Sequence, residues 1–92
     1  MSAPPLIYRV HAVQRMAERN IREEDVAHVI AHGKEIESYP ADVPYPSRLV
    51  LGWIANRPIH VVAATTTHEI IIITVYEPNP GQWQPGFEKR KP

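Results

Sequence analysis

Apolar positions along the chain follow two different periods. From residue 9 to residue 32 they recur every three or four positions, and from Glu35 onward they alternate or run together. Val10, Val13, Met16 and Ala17 predict a helix over residues 9–20 with that stripe turned inward. His11, Arg15 and Arg19 form a polar stripe beside it at successive four-residue steps. Asn20 tolerates the left-handed conformation that ends helices. A second helix is predicted over 23–32. Glu23, Glu24 and Asp25 load its first turn with acid, which suits the helix dipole. Val26, Val29 and Ile30 face inward, Ile21 and Val26 have the spacing of a hydrophobic staple across Arg22, and Gly33 suits the residue after the last turn. Arg22 is a poor N-cap, so that helix start is expected to be loose.

The second half reads as strands. Glu35–Tyr39, Arg48–Ala55, Ile59–Thr66 and Ile70–Tyr76 are separated by a Pro-rich loop (Pro40, Pro44, Pro46), a tight turn at Asn56-Arg57-Pro58, and Thr67-His68. Ile70-Ile71-Ile72-Ile73 opens the last strand. A continuous β-branched run closed by Glu77-Pro78 implies burial on both faces and a central place in the sheet. Short links make neighbouring strands antiparallel. The expected architecture is α+β: two N-terminal helices packed on a four-stranded antiparallel sheet, a two-layer sandwich. The other sheet face needs the tail, the Pro-rich loop or a second chain as cover. Trp83 and Phe87 are the tail residues able to pin it. The 92 residues make one domain, with residues 1–6 and 88–92 expected to fray.

Composition narrows the chemistry. Cysteine is absent, which excludes disulfides, thiolate metal sites and a cysteine nucleophile. That usage and an N-terminus without signal-peptide features point to a cytoplasmic protein, and no run is long enough to span a membrane. Lys+Arg and Asp+Glu are 10 each, a balance that counts against a non-specific nucleic-acid binder while leaving room for local patches. His28 and His32 have chelating spacing but no third ligand and no zinc-protease glutamate, so no metal site and no cofactor are expected.

The hairpin holds the main candidate group. With a three-residue loop His60 pairs near Thr74, with Tyr76 one step along the same face; with a two-residue loop it faces Val75. The first register joins an imidazole, a hydroxyl and a phenol, which suits proton transfer beside a developing anion. The plain alternative is a partly buried strand histidine bonding a neighbour. His11 and Arg15 offer phosphate-gripping donors, or else a solvated helix face. Arg48, after Tyr45-Pro46-Ser47, borders the candidate pocket or pairs with Glu77. The expected site joins His60, Tyr76, His11, Arg15 and Arg48 in one concave patch.

The run His11-Ala12-x-x-Arg15-Met16-x-x-Arg19, with His60-Val61-Val62 and Ile73-Thr74-Val75-Tyr76-x-Pro78, resembles the signature of a family of small prokaryotic domains of unknown function. Tyr39-Pro40, Tyr45-Pro46-Ser47-Arg48 and Trp83 continue the resemblance, which spans roughly residues 8–90. In element order the family is similar to RelE-type toxin nucleases, a fold-level analogy. The resemblance implies a metal-independent ribonuclease acting on RNA, with a small antitoxin protein as partner. The competing expectations are a non-catalytic module binding a partner protein or small ligand, and a structural homodimer subunit.

Overall fold

A computed structural model describes residues 4–92. The chain forms β1 (Leu6–Tyr8), α1 (Val10–Arg19), α2 (Glu23–His32), β2 (Lys34–Tyr39), β3 (Ser47–Ile54), β4 (Arg57–Thr65) and β5 (Ile70–Tyr76). The strands make one five-stranded sheet in the order β1-β5-β4-β3-β2. Both helices and the meander of β2 to β5 follow the expected order. The sheet nevertheless has one more strand than the hydrophobic pattern indicates. Leu6-Ile7-Tyr8, whose first residue closes the stretch expected to fray, pairs in parallel with Ile70-Ile71-Ile72, so the sheet is mixed and not wholly antiparallel. Three apolar residues beside Pro5 carry no period. They become a strand because β5 would otherwise present a free edge, and unpaired backbone groups there are costly. Arg9 N–H donates to the Ile72 carbonyl at 3.0 Å and Ile70 N–H to the Pro5 carbonyl at 3.0 Å, extending the pairing at both ends. With β1 outside it, β5 is interior.

The helices cover one sheet face. Ala12, Met16, Ile21, Val26 and Val29 pack with Val50, Ile59, Val61, Ala63, Ile72 and Val75 in a single apolar core. Alternation along the strands places these sheet residues on the helix side. Gly52 permits the close approach of α2, since a Cβ there would stand 2.7 Å from a Val29 methyl. The inward stripe of α1 is rotated from the expected one. Ala12 and Met16 are buried, while Val10 and Val13 are 74% and 50% exposed. The small Ala12 lets the helix lie close to β5, which turns the valines outward.

Local chemistry closes the elements. Asn20 takes the left-handed conformation (φ 55°) and ends α1, whereas Gly33 ends α2 in an extended conformation (φ −77°). The poor cap Arg22 is compensated by Asp25, whose carboxylate accepts the Arg22 N–H at 3.0 Å. Arg57 begins β4 instead of lying in the turn, which is Ala55-Asn56 with Ala55 at φ 55°. Its guanidinium donates to Glu77 at 2.6 Å, to the Asn20 carbonyl at 3.1 Å and to the Arg19 carbonyl. That ties the C-terminal end of α1 to the end of the sheet where β4 starts and β5 finishes. Among the described residues no helix is long and apolar enough to cross a membrane.

Candidate functional site

The second sheet face carries the polar cluster. The register forms three rows across the strands: Lys34–Leu51–His60–Tyr76, Glu37–Leu49–Val62–Thr74, and Tyr39–Ser47–Ala64. All alternate away from the helices. His60 pairs directly with Tyr76, a register different from both expected ones. The β4–β5 loop spans Thr66–Glu69, and a bulge between Val62 and Ala63 leaves Ile73 as an extra residue in β5. Thr66 Oγ1 accepts the N–H groups of His68 and Glu69 at 3.2 and 3.0 Å, which stabilises the four-residue loop. The bulge then moves every partner beyond it along by one position.

His60 is fully buried. Its Nε2 lies 2.9 Å from the Phe87 carbonyl oxygen and its Nδ1 lies 3.2 Å from the Tyr76 hydroxyl. A carbonyl only accepts, so Nε2 carries the proton and Nδ1 accepts from Tyr76. Burial holds the imidazole pKa below its ordinary value, and nearby Arg90 acts the same way; the Phe87 carbonyl and Glu37 oppose them. The ring is therefore neutral near pH 7. Burial raises the Tyr76 phenol, keeping it protonated as the donor.

The cover is the C-terminal segment, as one of the expected alternatives. Trp83 is buried and stands edge-on to the imidazole, with ring centroids 4.5 Å apart. Within residues 88–92, Glu88 and Arg90 bond to the sheet through their side chains. Arg90 grips Glu37 with two hydrogen bonds, Nε to Oε2 at 2.9 Å and Nη2 to Oε1 at 3.1 Å, and lies 4.7 Å above the Trp83 ring. Glu88 accepts from Lys34 at 2.7 Å. The Tyr39 hydroxyl also donates to Glu37. The Arg90 hydrogen bonds hold the Glu37 carboxyl below the usual carboxylate range, and burial followed by Glu37 raises Tyr39.

The five expected residues do not form one patch. His60 and Tyr76 meet. His11 and Arg15 are exposed on α1, across the sheet from them. They also lie toward the opposite end, because the C-terminal end of α1, not its start, reaches Arg57 and Glu77. Arg48 alternates onto the helix side and bonds Thr65 Oγ1 at 2.5 Å, while Glu77 is taken by Arg57. The residues that do join His60 and Tyr76 are Lys34, Glu37, Tyr39, Trp83 and Arg90. The alternation of β2 was legible and placed Glu35 to Tyr39 on a strand, but its start at Lys34 and its bulge were not. His28 and His32, with rings 4.8 Å apart, line a hollow of about 300 Å³ together with Lys34, Leu51, Trp53 and Glu88. Among the described residues no cluster of three metal-binding side chains exists.

A protein-family model described as "Domain of unknown function (DUF4258)" matches residues 8–77. No curated protein and no solved structure matches. The match covers most of the chain, both helices and β2 to β5, so the chain belongs to the DUF4258 family.

Proposed function

We propose that this DUF4258 domain is a metal-independent ribonuclease of the RelE type, with its chemistry on the second sheet face. The observation that carries the reading is the hydrogen-bonded His60–Tyr76 pair, on the same face as the carboxylate of Glu37 and the ammonium of Lys34. RNA cleavage without metal needs a group to take the 2′-hydroxyl proton, a group to protonate the leaving oxygen, and positive charge at the phosphate. Glu37 takes the 2′-hydroxyl proton as that oxygen attacks phosphorus. Lys34 and the phenols of Tyr39 and Tyr76 stabilise the extra negative charge. His60, in its imidazolium form once exposed to solvent, gives its Nε2 proton to the 5′-oxygen as the P–O5′ bond breaks. The products are a 2′,3′-cyclic phosphate and a 5′-hydroxyl. His11 and Arg15, on the far face, are outside this chemistry and offer an exposed surface for RNA or for an antitoxin protein.

A second reading, a non-catalytic binding module, draws support from the complete enclosure of His60 and the use of both its ring nitrogens. Incubation of single-stranded RNA with the protein in excess chelator separates the two. The ribonuclease reading expects cyclic-phosphate ends that disappear in both His60→Ala and Glu37→Gln while those variants remain folded. Cleavage unchanged in either variant would remove the assigned roles, and RNA binding without any cleavage would favour the module.

A further inference from the structure

We propose that residues 78–92 form an autoinhibitory strap that occupies the RNA-binding face and that single-stranded RNA competes with it; this rests on the ribonuclease reading above. The strap answers the groups of that face one by one. The Phe87 carbonyl accepts the hydrogen bond of His60 Nε2–H, with 2.9 Å between N and O, where a leaving oxygen would sit. Glu88 neutralises Lys34 at 2.7 Å, and Arg90 neutralises Glu37 at 2.9 and 3.1 Å. The proton donor, the cation and the carboxylate are thus each engaged by a group of complementary character. Packing of apolar surface alone does not require that match.

The strap is built as a unit. Trp83 and Arg90 form a β-bridge, Gln84 N–H donates to the Lys89 carbonyl at 2.8 Å, and Lys91 N–H to the Gln82 carbonyl at 2.9 Å. Gly86 and Phe87 both have positive φ, 90° and 60°, making the tight reversal at its tip. One buried ring, Trp83, seats it. Its ion pairs lie nearer the rim, where the Lys34, Glu88 and Arg90 side chains are 68%, 46% and 60% exposed and Glu37 is 24% exposed. The Lys34–Glu88 pair, exposed on both sides, holds weakly, which suits a cover that lifts. The family match ends at residue 77, so the covered face belongs to the family domain and the strap lies beyond the matched stretch.

The test uses the full chain with Arg90→Glu, Glu88→Lys and the two together, which turn strap contacts into repulsions without touching the core. In a Trp53→Phe background Trp83 is the sole indole, so its emission and acrylamide quenching read strap opening directly. Binding and cleavage of a fluorescein-labelled single-stranded RNA are measured in chelator alongside. The expected result is red-shifted, more quenchable Trp83 emission with at least tenfold faster cleavage, abolished by adding His60→Ala. Thermal melts confirm folding; if the double variant fails to fold, the single exchange at exposed Glu88 carries the test. Opening without change in RNA affinity or cleavage overturns the strap, and if the wild type cleaves, the ribonuclease reading survives it. Opening with tighter RNA binding but no cleavage in any variant supports the strap and overturns the ribonuclease. Unchanged Trp83 emission in all variants overturns the strap.

Discussion

Acidification from pH 7 to 5.5 should destabilise the protein through His60. The imidazole is buried, and its pKa lies below the ordinary 6.5. The unfolded chain, with an exposed ring, therefore binds a proton at a pH where the folded chain does not. Stability follows the proton difference, so it falls as pH falls below about 6.5 and levels off once the folded ring also titrates. A ring that stayed neutral throughout would lose at most ~1.3 kcal/mol over this range, since one pKa unit corresponds to about 1.4 kcal/mol. The loss comes first from desolvation and then from the nearby Arg90 charge; hydrogen bonding is kept, because a protonated ring still donates Nε2–H to Phe87 and the Tyr76 oxygen can turn to accept Nδ1–H. Urea unfolding at half-unit pH steps measures this. With a slope of roughly 1–2 kcal/mol per molar, the midpoint should drop by at most about 0.6–1.3 M. His60→Gln keeps a donor toward the Phe87 carbonyl and removes the titration, so its curve should be flatter by that amount. Glu37 works in the same direction in a lower window. Its carboxyl is held below its ordinary 4.5, so its stabilisation is lost only as pH falls beneath that value. A wild-type midpoint constant between pH 7 and 5.5, or an equal slope in His60→Gln, would refute the argument.

Two further predictions concern the scaffold. Ile72→Ala should cost about 2–5 kcal/mol in equilibrium unfolding, because Ile72 is fully buried in the core. Ile73→Ala, at the bulge and half-buried, should cost clearly less, and equal losses would mean the β5 register is wrong. Gly52→Ala should cost about 1–3 kcal/mol, because the new Cβ would stand 2.7–2.9 Å from three Val29 side-chain atoms and α2 must shift. A Gly52→Ala variant as stable as the wild type would show that the α2–β3 contact is looser than described.

The sequence by itself determined the elements whose signal is local. Period-3.6 stripes and an acidic first turn define α1 and α2, and the β-branched run Ile70–Val75 defines the interior strand, because side-chain direction within one element follows from its own repeat. It also named His60 and Tyr76 as candidate partners, since a hairpin with a short loop must bring them near each other. Tertiary structure decided what depends on pairing between distant segments. Leu6-Ile7-Tyr8 is a strand only because β5 offers it backbone partners, and no local pattern announces that. The Thr66–Glu69 loop and the Ile73 bulge together move His60 opposite Tyr76, and a shift of one residue is invisible to composition. The same single-residue logic sends Arg48 to the helix side, and the packing of α1 on that side leaves His11 and Arg15 across the sheet. Lys34 and Glu37 were ordinary polar residues of an alternating strand until the register set them in rows beside His60 and Tyr76. The Pro-rich tail showed no period at all. It takes its shape from Trp83 entering the second face and from Glu88 and Arg90 finding Lys34 and Glu37, contacts that span more than fifty residues of chain.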